Sequence, residues 1–229
     1  MATIEERLSQ LRGQISSIAR SCDRDPSRIQ LLAVSKTSPV EDILAAVAGG
    51  QQAFGENYLQ DALPKIHALQ HLGLEWHFIG RIQSNKTRDI AGHFSWVHAL
   101  HDFKHARRLN EQRPADLPAL NICIQLNLTG ERSKGGIGAD ELPDLLEKLQ
   151  DLPHLELRGL MTMPPASADE KLQRQVFGQL RRLLQQMNDR GHRLDTLSMG
   201  MSGDMQAAIC EGATMVRIGT AIFGPRKNK

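Results

Sequence analysis

Eight short strand-like segments recur along the 229-residue chain, and a helical pattern follows each of them. The first, fifth and eighth are nearly continuous in Ile, Leu and Val, as parallel strands covered on both faces are. The eight segments are 29–36, 52–57, 75–80, 95–100, 120–127, 155–163, 194–200 and 214–220. Eight such units predict one α/β domain over residues 1–229, a single (β/α)8 TIM-type barrel, for which ~250 residues is typical.

A doubly wound open sheet is the alternative architecture, but it usually carries a glycine-rich turn after its first strand. Here the first strand runs into Lys36 and the sequence TSPVEDI. The most linker-like stretch, 161–170, is expected to form a loop at the mouth of the barrel. An extra N-terminal helix is predicted because Thr3 and Glu6 fit a capping box. The apolar stripe of this helix is Ile4, Leu8, Leu11, Ile15 and Ile18.

The composition excludes several classes of partner. The net charge of +2 leaves no basic stripe, and aromatic residues are only 4% of the chain, so no nucleic acid is expected. No apolar run approaches the ~18 residues of a membrane span, and the N-terminus does not resemble a signal peptide. Cys22, Cys123 and Cys210 are expected to be separate thiols in a reducing compartment, without disulfides or a metal site. A cytoplasmic protein is predicted.

The first strand, QLLAVSK, ends in Lys36. Active sites of TIM-type barrels lie at the carboxyl ends of the strands. Partial burial there favours the neutral amine, which attacks an aldehyde to form a Schiff base. The alternative is a lysine at an exposed rim that extends its ammonium group into water.

The last strand carries Arg217 in the sequence MVRIGT. Strand alternation predicts that Arg217 shares a face with Met215 and Gly219. A cation inside a barrel needs an acceptor. That acceptor is either a carboxylate, with Glu56 and Asp204 as candidates, or an atom of a bound ligand.

A cluster of glycines and hydroxyl groups follows the seventh and eighth strands. Ser202, Gly219 and Thr220 lie where such barrels often bind phosphate, although ordinary turns and helix caps would use the same residues. A lysine, an arginine and a phosphate cradle together suit a phosphorylated aldehyde, and pyridoxal 5′-phosphate is a cofactor of that kind. Arg217 would then lie against the pyridine nitrogen and disfavour its protonation, which restrains carbanion chemistry.

The motifs of the chain resemble those of the YggS/PROSC-type pyridoxal phosphate homeostasis proteins. The matching motifs are LLAVSKT, FGENY, EWHFIG, QSNK, RGLMTM, LSMGMSGDMQAAI and VRIGTAIFG, and the resemblance extends from about residue 28 to residue 226. It implies a fold type III-like barrel related to the N-terminal domain of alanine racemase. It also implies a protein that buffers or delivers pyridoxal phosphate to apo-enzymes, without established turnover, and it points loosely to a monomer.

The resemblance also implies roles for single residues. Lys36 would carry the Schiff base, Arg217 would lie near the pyridine nitrogen, and Asn57 would point at the cofactor. His77 would lie close to the ring, although a core histidine with satisfied hydrogen bonds is an equal alternative. The residues on or near the phosphate-binding segments would be Ser198, Met199, Gly200, Ser202, Gly219 and Thr220. We further expect a mobile loop at 131–138, which contains Lys134.

Two enzymatic functions compete with cofactor carriage. An amino-acid racemase would need a second base on the opposite face of the ring, a tyrosine from a further domain and a dimer partner, and the chain has one tyrosine, Tyr58. A class I aldolase would need a general acid or base beside Lys36, for which Glu56, Asp204 and His77 are the candidates.

Overall fold

The computed structural model describes residues 2–131, 135–164, 167 and 169–225. Its eight parallel strands close into one barrel in the order of the sequence, because β8 pairs with β1. The strands are β1 Gln30–Val34, β2 Ala53–Glu56, β3 Glu75–Phe78, β4 Trp96–Leu100, β5 Leu120–Leu126, β6 Leu155–Thr162, β7 Thr196–Ser198 and β8 Met215–Ile218. Each lies within one of the eight predicted segments, and the predicted barrel is confirmed.

Helices cover the outside of this barrel. They are α1 Ile4–Ser21, α2 Val40–Ala48, α3 Leu59–Ala68, α4 Thr87–His93, α5 Phe103–Gln112, α6 Leu142–Leu149, α7 Glu170–Asp189, α8 Met205–Cys210 and α9 Thr220–Phe223. The layer between helices and strands forms the main apolar core, in which Phe54, Leu100 and Phe177 are fully buried. None of the helices formed by the described residues combines the length and the apolar character that spanning a bilayer requires.

The predicted N-terminal helix is present as α1. The Thr3 side chain accepts a hydrogen bond from the backbone N–H of Glu6, and the Glu6 carboxylate accepts one from the backbone N–H of Thr3. This capping box satisfies two N–H groups that the first turn leaves without partners. The apolar face of α1 packs against α2, α8 and α9, so the helix lies on the domain's own surface.

The interior of the barrel holds a second, smaller set of apolar side chains. Leu32, Ala53, Ile79 and Met215 form one cluster there, and Trp96, Ala99, Cys123 and Met161 form another. Apart from β4, where a register shift between Val97 and Leu100 puts both His98 and Ala99 inside, these residues alternate with residues of the outer core, as the two-residue period of a strand requires. Arg217 follows Met215 on the inner face of β8, as its sequence position predicted.

The expectation of three separate cysteines is wrong for two of them. Cys22, the C-cap of α1, and Cys210, the last residue of α8, form a disulfide with their Cα atoms 5.2 Å apart. Because α1 packs against α8, residues distant in sequence come together. Cys123 is a free, buried thiol, as predicted, and burial raises its pKa to about 12.

Two glycines offer a matched test of this packing. Gly159 of β6 lies so close to Thr196 of β7 that an added Cβ would collide with the Thr196 carbonyl group, whereas a Cβ on Gly13 in α1 would meet nothing within 4 Å. We expect Gly159→Ala to lower the melting temperature by about 4 °C or more. Gly13→Ala should raise it by about 1–4 °C, because alanine favours the helix. Thermal unfolding followed by circular dichroism measures both, and equal shifts would contradict the close β6–β7 contact.

Candidate functional site

A cavity of about 320 Å³ opens at the carboxyl end of the barrel. Its lining comes from Val34 in β1, Arg217 in β8 and residues that follow β1, β2, β3, β6, β7 and β8. The lining residues are Val34, Lys36, Thr37, Ser38, Asn57, Ile79, Met163, Met201, Ser202, Gly203, Arg217, Gly219, Thr220, Phe223 and Gly224. Six of the ten residues selected from the sequence are among them: Lys36, Asn57, Ser202, Arg217, Gly219 and Thr220.

A larger cavity, of about 400 Å³, lies at the opposite end of the barrel. It is lined by side chains of α1 and the amino ends of β1 and β2, including Arg12, Ser16, Gln30 and Gln51. The Arg12 guanidinium is already bonded to the Gly49 carbonyl and to Gln51. Since active sites of such barrels lie at the carboxyl end, the smaller cavity is the candidate site.

A buried polar cluster holds the turn that presents Lys36 to the cavity. Ser35 Oγ donates to Glu56 Oε1 at 2.6 Å, and Lys65 Nζ on α3 donates to Glu56 Oε1 at 2.9 Å and to the Ser35 carbonyl at 2.8 Å. Burial raises the pKa of Glu56, and the Lys65 charge opposes that effect. Glu56 therefore pairs with Lys65 on the outer side of the barrel, and the predicted alternative of a Glu56–Arg217 pair is wrong. Lys36 itself is half-buried.

Arg217 lines the bottom of the cavity and is only 4% exposed. Its Nη1 donates to Ser198 Oγ at 2.8 Å, and its Nη2 donates to the Thr162 carbonyl at 3.0 Å. Burial lowers the pKa of Arg217 to about 10, with the Asp204 charge opposing the shift, so the guanidinium stays protonated at neutral pH. Among the described residues, these two bonds occupy two of the five guanidinium N–H groups, which leaves donors for a ligand.

Hydroxyl groups and glycines form the rim of the cavity. Ser202 and Thr220 are exposed there, next to Gly203 and Gly219. An Asp204 carboxylate oxygen accepts the backbone N–H of Met201, which closes the loop after β7. A Cβ on Gly219 would come within 3.0 Å of the Val34 carbonyl oxygen, so glycine allows β8 to end close to β1. The rim therefore offers hydroxyl donors and closely approachable backbone.

Asn57 brings an unsatisfied acceptor to the cavity wall. Its Oδ1 is buried and has no hydrogen-bond partner among the described residues. Gly80, after β3, packs so closely on the Asn57 backbone that any side chain at position 80 would collide with it. An orphaned buried acceptor carries a desolvation cost that a ligand donor would offset.

Four residues selected from the sequence do not line the cavity. His77 and Ser198 point into the barrel but lie deeper, below Ile79 and Arg217. Met199 points outward into the helix–strand core. Gly200 turns the chain with φ 96°, and its carbonyl accepts the backbone N–H of Arg217. Lys134 and residues 165, 166 and 168 of the predicted mouth loop lie outside the described residues.

Sequence reasoning missed several lining residues and two core histidine contacts. Ile79 follows from alternation with His77, so the signal was present. Phe223 and Gly224 lie past β8 in α9 and its C-cap, where no strand pattern points to the cavity. Glu75 was missed as a partner of His77 although it lies two residues earlier in the same EWHFIG motif and on the same strand face. His98 was missed because it lies on the next strand, outside that motif.

The two buried histidines predict a pH dependence of stability. Burial lowers the pKa of His77 and lowers that of His98 further, so both stay neutral in the fold below the unfolded-state value of about 6.5. Below that pH the unfolded chain binds more protons, and the free energy of unfolding falls as pH decreases. Each histidine contributes a slope of up to about 1.4 kcal/mol per pH unit.

Urea denaturation between about pH 5 and pH 7 measures this slope. His98→Asn should reduce the slope by up to about 1.4 kcal/mol per pH unit, which is the contribution of one proton. His71→Asn, at an exposed position, should leave the slope unchanged. A slope that is the same in wild type and His98→Asn would contradict a neutral, buried His98.

Comparison with known proteins gives close matches over the whole chain. The family model of the alanine racemase N-terminal domain matches residues 7–227. A pyridoxal phosphate homeostasis protein of Pseudomonas aeruginosa is 53% identical over 226 residues, which cover 99% of this chain and 97% of that protein. The protein of the same name from Escherichia coli K12 is 49% identical over 229 residues, with 99% and 98% covered.

Solved structures agree with the sequence matches. PipY of Synechococcus elongatus PCC7942, with PLP bound, superposes with a TM-score of 0.87 at 36% identity, covering 97% of this chain and 100% of that one. Alanine racemase from Corynebacterium glutamicum gives a TM-score of 0.67 at 21% identity, covering 96% and 61%, which shows the shared fold alone. The chain therefore belongs to the alanine racemase N-terminal domain family and, within it, to the pyridoxal phosphate homeostasis proteins.

Proposed function

We propose that this chain binds pyridoxal 5′-phosphate in the carboxyl-end cavity, holds it as a Schiff base on Lys36, and serves cofactor homeostasis rather than turnover. The observation that carries the proposal is that Lys36 and Arg217 line the same cavity. The PLP-bound relative PipY, which matches this chain over 97% of its length, supports the choice of ligand.

The residues of the cavity fit this cofactor by their chemistry. Its volume, about 320 Å³, is within the range of small-ligand pockets. Ser202 and Thr220 offer hydroxyl donors to the phosphate, the Asn57 Oδ1 acceptor awaits a donor, and Arg217 offers N–H groups to the ring nitrogen. When bound, pyridoxal 5′-phosphate supplies an aldehyde carbon and an electron-withdrawing pyridine ring.

Lys36 makes the attachment reversible. Its amine bonds to the aldehyde carbon as a C=N group, and both amine hydrogens leave with the aldehyde oxygen as water. Hydrolysis reverses the step and releases the aldehyde intact. The Ser35–Glu56–Lys65 cluster keeps the turn before Lys36 in position, so the amine does not lose its place when the cofactor leaves.

Arg217 restrains the chemistry of the ring. A protonated guanidinium beside the pyridine nitrogen donates to it and disfavours a second positive charge there. An unprotonated ring withdraws electrons less strongly, so carbanions are poorly stabilised. Storage is compatible with that restraint.

The lining of the cavity supports carriage over racemisation. Among the described lining residues, Lys36 carries the only amine, and none carries a carboxylate or an imidazole. Tyr58 is 54% exposed at the start of α3, and the aldolase candidates Glu56, Asp204 and His77 do not line the cavity. A two-base exchange at an α-carbon therefore lacks its second base among these residues. Delivery to apo-enzymes, a monomeric state and a cytoplasmic location stay predictions.

Replacing Lys36 tests the attachment. We expect Lys36→Ala to abolish the absorption band of the covalently bound cofactor and to weaken, without abolishing, binding in equilibrium dialysis, because the phosphate contacts remain. Lys171→Ala, at an exposed lysine of α7, is the matched control and should bind as wild type does. Wild-type affinity and absorption in Lys36→Ala would contradict the assignment of Lys36 as the Schiff-base lysine.

The distinction between carrier and racemase can be measured separately. The PLP-loaded protein is incubated with L-alanine in deuterium oxide, and deuterium at the α-carbon is followed by proton NMR. We expect a rate close to that of free pyridoxal phosphate at the same concentration, because the described lining residues provide no second base. Exchange far above that rate would support racemase-like catalysis and contradict simple carriage.

A further inference from the structure

A continuous chain of hydrogen bonds crosses the interior of the barrel from its amino end to Arg217. Glu75 Oε1 lies 2.7 Å from His77 Nε2, and His77 Nδ1 lies 2.9 Å from His98 Nε2. His98 Nδ1 lies 2.8 Å from Ser198 Oγ, which in turn accepts from Arg217 Nη1 at 2.8 Å. Four strands contribute: β3, β4, β7 and β8.

The two ends of this chain of hydrogen bonds carry opposite charges. Glu75, the first residue of β3, has a side chain that is 39% exposed, and it also accepts a hydrogen bond from Gln30 at 3.0 Å. Its hydrogen bond from His77 is the main cause that lowers the Glu75 pKa, so it is a carboxylate at neutral pH. Arg217, at the other end, is a cation that lines the cofactor cavity. His77, His98 and Ser198 between them are fully buried.

The direction of every bond follows from these ends. Arg217 can only donate, and the Glu75 carboxylate can only accept. Neutral His77 therefore donates from Nε2 to Glu75, which makes its Nδ1 an acceptor for the Nε2–H of neutral His98. His98 Nδ1 is then an acceptor as well, so Ser198 uses its single hydroxyl hydrogen to donate to it. Both imidazoles are thus assigned to the Nε2–H tautomer, with each of their nitrogens satisfied.

We propose that Glu75, His77, His98 and Ser198 act together as positioning residues for Arg217, fixing the orientation of its guanidinium group toward the ring nitrogen of the bound cofactor. The inference rests on the proposed function for the cofactor, but the chain of hydrogen bonds exists in the protein without any cofactor. A change at Glu75, at the far end of the barrel, then reaches the cofactor although Glu75 does not line the cavity.

Packing around the chain holds it in one arrangement. The Trp96 indole stacks on His77 with a centroid distance of 5.4 Å and an interplanar angle of 6°, which opposes rotation of the imidazole. The Arg158 guanidinium carbon lies over the same indole, 5.1 Å from the ring centroid, and Arg158 is paired with Asp195. Since His77 cannot rotate freely, the Nε2–H that meets Glu75 stays aligned, and so does the acceptor that meets His98.

A purely structural role would predict a different response to mutation. Buried polar groups that serve only to satisfy one another affect stability when one is removed, and nothing else. A positioning role also changes the rotation of the Arg217 guanidinium and the electronic state of the bound cofactor. These readouts separate the two possibilities.

The first experiment uses the protein without cofactor. Nitrogen-15 NMR of the histidines near pH 7 should give the neutral Nε2–H tautomer for both His77 and His98. The Arg217 Nη groups should give separate signals in wild type because rotation is hindered, and averaged signals in Ser198→Ala. An Nδ1–H tautomer at either histidine, or unchanged Arg217 signals in Ser198→Ala, would overturn the proposal whether or not the protein binds pyridoxal phosphate.

The second experiment uses the PLP-loaded protein and a remote charge. Glu75→Gln keeps an acceptor for His77 but removes the carboxylate charge, and Glu156→Gln is the matched control, an exposed carboxylate near the amino end of β6. We expect Glu75→Gln to shift the midpoint of the absorbance–pH titration of the bound cofactor by a few tenths of a unit. Ser198→Ala should shift it further and weaken binding about tenfold. Glu156→Gln should leave the titration unchanged.

The outcomes separate failure of this inference from failure of the proposed function. If wild type binds pyridoxal phosphate and Glu75→Gln titrates as wild type does, while only its melting temperature falls, the chain is structural and the inference is wrong. If wild type fails to bind pyridoxal phosphate at all, the proposed function fails, and the cofactor-free NMR measurement still decides whether the chain orients Arg217.

Discussion

Closure of the barrel between β1 and β8 is the constraint on which the site depends. In that pairing Leu32 lies opposite Arg217, so the carboxyl ends of the first and last strands lie side by side at the same end of the barrel. Lys36 and Arg217 come from distant parts of the sequence and reach the same cavity only because the sheet has no free edge. An open sheet would leave the amine and the guanidinium on opposite borders.

The interior of this barrel carries buried polar side chains as well as two apolar clusters. Burying a guanidinium group and two imidazoles costs free energy that hydrogen bonds only partly offset. The arrangement limits that cost because Ser198, His98 and His77 are linked in series by hydrogen bonds, from Arg217 to the partly exposed Glu75. Since replacing buried polar groups by apolar ones is often neutral or stabilising, stability alone does not explain these polar side chains, whereas the orientation that we propose for Arg217 does.

Local periodicity and the barrel topology made three features predictable: the strand positions, the face of each strand, and the end of the barrel at which Lys36 and Arg217 meet. The depth of a side chain within the barrel was not predictable, since it depends on the register between strands. The sequence therefore places His77 and Ser198 near the cofactor, with a core histidine as the equal alternative for His77, although both side chains lie a layer below the cavity. The Cys22–Cys210 disulfide depends on how α1 packs against α8, and no sequence spacing reports that contact.

Lys36 is the amine that we propose holds the cofactor. The most direct test is reduction of the PLP-loaded wild-type protein with borohydride, followed by peptide mass mapping. We expect one phosphopyridoxyl group per polypeptide, on the peptide that contains Lys36. A modification on another lysine, or none from a protein that takes up the cofactor, would contradict this assignment.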